Sequence, residues 1–143
     1  MERSDYLIGI DPGVNTGVAI WDRKKRRLAR VGSSTIVEAM TYVGKFSAEI
    51  VDLGGTVELW FEDARLRDWF GTSGCERRLG AGSIRRDSGI WEEFCLYHGL
   101  KFKKLAPKTS ITKLNAKQFA RMTGWKGRTN EHSRDAGMLV YGA

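Results

Sequence analysis

Residues 9–20 read GIDPGVNTGVAI, and their pattern sets the rest of the chain in order. An apolar run, YLIGID over 6–11, ends on Asp11, turns through Pro12-Gly13, passes Asn15-Thr16-Gly17, and becomes apolar again as GVAIW over 17–21. Two short apolar runs around turn residues predict a β-hairpin. Asp before Pro-Gly is a common turn former. A carboxylate planted where a buried strand leaves the core is also well placed to serve a site that other segments reach.

Outward from the hairpin, a basic stretch over 22–27 turns the chain into a third strand, LARVGSST over 28–35. The period then changes. Ile36, Met40, Val43, Phe46, Ile50 and Leu53 recur at helical spacing, which predicts an amphipathic helix over 36–53. Thr35 with Glu38 three residues on is a capping pattern, and Gly54-Gly55 ends the helix. TVELWFE over 56–62 is rich in β-branched and aromatic residues and reads as a strand. Residues 65–89, dense in glycine and arginine, read as a mobile basic loop leading into a helix at 84–98 that Gly99 stops. LKFKKL over 100–105 alternates as a strand does, and APKTS leads to helices at 111–122 and 130–142. Three antiparallel strands feeding parallel crossovers predict an α/β domain, a mixed five-stranded sheet flanked by helices. The 143 residues suit one such domain, 1–143.

Composition narrows the function classes. Charged residues make up 29% and hydrophobic residues 41%, the balance of a globular chain rather than a disordered one. No stretch is long and apolar enough to cross a bilayer, and MERSDYLIGI lacks a signal peptide's apolar region, so the expectation is a cytoplasmic protein. Cys75 and Cys95 stand alone without CxxC spacing, too few for a structural zinc site. The net charge of +7 and a pI of about 9.6 favour a polyanionic partner, above all nucleic acid. The charge is clustered: Arg23 to Arg27; Arg77, Arg78, Arg85 and Arg86; and the lysines between Lys101 and Lys117. The first cluster is read equally well as a solvated hairpin tip.

Acids stand at the ends of three elements. Asp11 closes the first strand, Glu62 with Asp63 closes the strand at 56–62, and His132 and Asp135 share a face of the last helix. If the strand ending at Glu62 runs parallel beside the first, both carboxylates emerge at one edge, where a helix packed across it adds the other two. Oxygen-rich convergence of this kind suits Mg²⁺ or Mn²⁺, and two such ions can promote phosphodiester hydrolysis. Taken singly, each residue has a simpler use: a turn for Asp11, a surface strand end for Glu62-Asp63, helix capping for the last pair.

IGIDPGVNTGVAIWD (8–22), LWFEDA (59–64) and EHSRDAGMLVYG (131–142) together resemble the RuvC-type Holliday junction resolvases of the ribonuclease-H-like superfamily. The segments cover about a quarter of the chain and stand in the family's order. The resemblance implies a ribonuclease-H-like sheet and a Mg²⁺- or Mn²⁺-dependent endonuclease with two ions per site, held by Asp11, Glu62, His132 and Asp135. It implies a homodimer cutting paired strands of a four-way junction, for which the helix at 36–53 or that at 84–98 is the expected seam. Lys108 and Lys117 match its basic segment near the scissile phosphate, with Lys113 competing for the place of Lys117. Arg65, Arg77, Arg78, Arg85, Arg86 and Lys113 are candidate DNA contacts, and Trp69 or Phe70 could stand near the junction centre. Asp63 occupies a position that is ordinarily non-catalytic. Nucleases acting on RNA/DNA hybrids or on other branched DNA, and a non-catalytic junction-binding module, are the alternatives.

Overall fold

A computed structural model describes residues 3–66, 75–106 and 113–143. Strands β1 (Tyr6–Asp11), β2 (Asn15–Asp22) and β3 (Arg27–Thr35) form an antiparallel meander. Helix α1 (Ile36–Asp52) carries the chain across the sheet to β4 (Val57–Glu62), which pairs parallel with β1. A 3-10 turn (Ala64–Leu66) precedes α2 (Cys75–His98), and β5 (Lys101–Leu105) pairs parallel with β4. Helices α3 (Ala116–Thr123) and α4 (Glu131–Val140) follow. The sheet order is β3-β2-β1-β4-β5, the mixed five-stranded arrangement expected.

Side-chain alternation divides the core into two layers. Ile8, Ile10, Val18, Ile20, Leu59 and Phe61 point to one face and pack on Ala39 and Val43 of α1 and on Trp91 and Cys95 of α2. Leu7, Ala19, Trp21 and Val31 point to the other, against Phe119 of α3 and Ala136 and Val140 of α4. Asp11 continues the Leu7–Gly9 row, and Glu62 the Glu58–Trp60 row, so both project on the side that α4 covers.

Two helices begin elsewhere than the pattern predicts. Part of the expected basic loop is helix, because α2 starts at Cys75. Its second half is anchored by fully buried Trp91 and Cys95, and extending a nucleated helix adds a hydrogen bond per residue, so glycines and arginines are tolerated upstream. Helix α3 starts at Ala116 rather than 111, since Asn115 takes the Gln118 N–H at 2.9 Å and Gln118 returns the bond, closing a capping box. The Thr35 cap is as expected, its hydroxyl accepting from the Glu38 N–H at 3.3 Å.

Candidate functional site

The site is built at the C-terminal edge of β1 and β4. Their parallel register pairs Ile10 with Phe61, so Asp11 and Glu62 are the next residues of neighbouring strands. The turn beyond Asp11 is pinned by Thr16, which is fully buried and donates its hydroxyl to the Gly13 carbonyl at 2.8 Å. Helix α4 lies across this edge closely enough to forbid side chains beneath it. A Cβ on Gly17 would fall 2.0 Å from the His132 carbonyl oxygen, and one on Gly9 would fall 2.3 Å from that of Ala136. Gly17 is also the antiparallel partner of Asp11. Missing side chains at two strand positions therefore let α4 bring His132 down onto Asp11.

The result is a contact between His132 Nδ1 and Asp11 Oδ2 at 3.1 Å. Asp11 is largely withdrawn from water, its side chain 19% exposed. Burial pushes its carboxyl up to about 6; the His132 hydrogen bond opposes the rise and the charge of Asp135 adds to it. One turn along α4, Asp135 receives Lys113 Nζ at 3.2 Å, and the same ammonium bonds Glu131. Bonding to Glu131, then to Asp135, raises the Lys113 pKa above its ordinary value. Arg134 holds this arrangement, donating from Nε to the Leu114 carbonyl at 2.8 Å and so binding the chain beside Lys113 to α4. Asn130 caps α4 through the Ser133 N–H at 2.9 Å.

Two contacts thus organise this edge, Asp11 with His132 and Asp135 with Glu131 through Lys113, whose single charge offsets one of the second pair's two. Among the described residues no three His, Cys, Asp or Glu side chains form a ready-made cation cage. The donor chemistry nevertheless suits a hard divalent ion. It is oxygen-rich, it comes from separate elements at one edge, and Asp11 ionises at a cost that a nearby cation would offset.

Asp63, the neighbour of Glu62, has a different role. It is 1% exposed and its carboxylate takes both Nε and Nη2 of Arg65, at 2.8 and 2.6 Å. Burial pushes the Asp63 carboxyl up, but the side-chain and backbone hydrogen bonds from Arg65 outweigh it and hold the group below its ordinary range. Arg65 also bonds Glu92 of α2, which meets Lys104 of β5 at 3.4 Å. With Ser88 Oγ donating to the Glu62 carbonyl at 3.1 Å, the network fixes the end of β4 against α2 and β5. Arg65 is therefore engaged in the scaffold. Neither this network nor the role of Gly9 and Gly17 was read from the sequence, although Gly9 and Gly17, both inside apolar strand runs, were signals of close backbone approach.

Of the other expected contacts, Lys117 is exposed on the first turn of α3, and Arg86 is exposed on α2. Trp69, Phe70 and Lys108 lie outside the described residues, as do the side chains of Arg77, Arg78 and Arg85. No described helix is long and apolar enough to cross a membrane.

No family model and no curated protein matches this chain. Among solved structures it is similar to T. thermophilus RuvC in complex with Holliday junction substrate, with a TM-score of 0.51 and 18% identity. The match covers 94% of this chain and 89% of that one. At that identity the likeness establishes architecture alone: the chain has a RuvC-like, ribonuclease-H-like fold.

Proposed function

We propose that this chain is a divalent-metal-dependent endonuclease that resolves four-way or other branched DNA, acting as a homodimer that makes paired nicks. The observation that carries the reading is the half-buried Asp11 carboxylate at the β1 edge, facing His132 at 3.1 Å with Asp135 one turn along the same helix. The RuvC-like architecture supports it, since the comparable structure holds a Holliday junction.

Asp11, Glu62, His132 and Asp135 would hold Mg²⁺ or Mn²⁺. When bound, a pair of such ions lowers the pKa of a water and offsets charge developing on the phosphate, as hydrolysis across a P–O bond requires. The chain supplies the remaining functions. The Asp11 carboxylate gives a half-buried anionic centre held by its turn, in contact with the His132 imidazole. Lys113 places a cation beside Asp135 within reach of incoming phosphates, with Lys117 and Lys108 as further phosphate contacts. Arg77, Arg78, Arg85 and Arg86 would carry the DNA along α2, with Trp69 or Phe70 near the branch point. Helix α1 or α2 would form the dimer seam.

The test uses an end-labelled four-way junction in Mg²⁺. Asp11→Asn is expected to abolish cleavage while binding survives, and product mapping of the wild type is expected to show symmetric paired nicks. Cleavage by the variant at near wild-type rate would remove Asp11 from the site. Unpaired cuts confined to flaps or Y-shaped DNA would replace junction resolution by a broader branched-DNA activity.

A further inference from the structure

The basic hairpin between β2 and β3 lies at the opposite end of the sheet from the acids. Asp22 pairs with Tyr6 at the start of β1, whereas Asp11 ends that strand, about 17 Å away at 3.4 Å per residue. The hairpin is built rather than loose. The Asp22 carboxylate accepts from the Lys25 N–H at 3.0 Å, and Arg26 adopts left-handed backbone at φ 54° with its guanidinium over the Trp21 ring. Lys24, Lys25, Arg26 and Arg27 are exposed, and none of them pairs with an acid among the described residues.

Beside this hairpin opens a cavity of about 520 Å³, walled by Arg27, Leu28 and Ala29 of β3 and by residues 123–127, from the last residue of α3 onward. The second wall is rigid. The Thr123 hydroxyl donates to the Phe119 carbonyl at 2.7 Å and accepts from the Trp125 N–H at 3.1 Å, and Gly124 ends α3 at φ 77°. Helix C-termini ordinarily repel anions, but here the carbonyls of Phe119, Ala120 and Met122 already accept bonds, from Thr123, Gly124 and the Tyr141 hydroxyl. Trp125 contributes an aromatic wall, and its indole N–H is buried without a partner. A Cβ on Gly127 would lie 2.9 Å from that nitrogen, so glycine lets the backbone of this segment close against the indole. Arg27 and exposed Lys126 flank the opening with two cations.

Cations beside an aromatic wall in a concave site of this size match the chemistry of an unpaired nucleotide, with phosphates on the cations and base against the ring. We propose that the cavity between β3 and the 124–127 segment, with the 23–27 hairpin, is a second nucleic-acid site that binds single-stranded DNA behind the acidic edge. The proposal does not depend on the nuclease reading, and its test needs neither metal nor cleavage.

A fluorescein-labelled oligothymidylate of eight nucleotides, titrated in EDTA against the full chain, is the probe. Arg27→Gln with Lys126→Gln, both at exposed positions, is expected to weaken binding about tenfold at low salt. It should also lower the log–log salt slope by about 1.4, the share of two phosphates on a single strand. The oligonucleotide is further expected to quench tryptophan emission, and Trp125→Phe should remove part of that quench. Unchanged affinity and slope in the double variant would overturn the proposal, as would a loss confined to duplex DNA. Absence of junction cleavage by the wild type would count against the nuclease reading alone.

Discussion

Asp11 shows how much one position can be made to cost. Its folded carboxyl titrates near 6 against an ordinary 3.8 because burial disfavours the charged form. An acid raised in this way makes the folded state the better proton binder between the two values. The ionisation penalty is therefore absent below about pH 4 and fully present above about pH 6, on the order of 2–3 kcal/mol from the size of the shift. In EDTA, wild type should lose stability relative to Asp11→Asn as pH rises through that window, with the variant melting higher at pH 7. Added Mg²⁺ should raise the wild-type midpoint at pH 7 and leave the variant's unmoved. Thermal melts of the two proteins across pH check both statements, and parallel melting at every pH would show that Asp11 ionises freely. The identity of this residue as a candidate was legible from its place after an apolar strand. Its environment was not, because burial is set by what packs over it.

At the scale of elements, α4 depends on two absent side chains. Gly17→Ala would drive a methyl to 2.0 Å from the His132 carbonyl, a backbone atom that moves only if the helix moves. Over-packing of this kind ordinarily costs about 1–3 kcal/mol. The variant is therefore expected to melt lower, and to lose the proposed cleavage out of proportion to that loss because His132 and Asp135 are displaced from Asp11. Ala→Gly at buried Ala19, in the neighbouring register of β2, is the control: it should destabilise without that disproportion. Equal activity in Gly17→Ala and wild type would mean that the approach of α4 does not matter. Most elements were legible because their periods of two and 3.6 were unbroken. The start of α2 was not, since glycine and arginine carry no helical pattern there and it is Trp91 and Cys95, farther along, that anchor it.

For the molecule as a whole, Cys95 reports on the integrity of the layer that α1 and α2 make with the sheet. It is fully buried among α2, α1 and the sheet, and burial, with Glu92 adding, pushes its thiol up to about 12. A thiolate is the reactive form, so native Cys95 should be inert. In a Cys75→Ser background at pH 8, labelling by a thiol reagent should run about 10³-fold slower than in the unfolded chain and should rise with denaturant along the unfolding transition. Rapid labelling in native buffer would mean that α2 opens separately from the core.

The order of strands and helices and the basic charge follow from local pattern, since turn residues, period and charge act over a few residues at a time. The candidacy of Asp11, Glu62, His132 and Asp135 comes from three segments read together. Which acids meet follows from neither. Asp11 faces His132 because two glycines admit α4. Asp63 is turned inward by Arg65, although it adjoins Glu62 in the chain. Lys113 reaches Asp135 across 22 positions because Arg134 ties its neighbour to α4. Distances between groups far apart in sequence depend on how layers pack, and packing is a property of every residue in the contact at once.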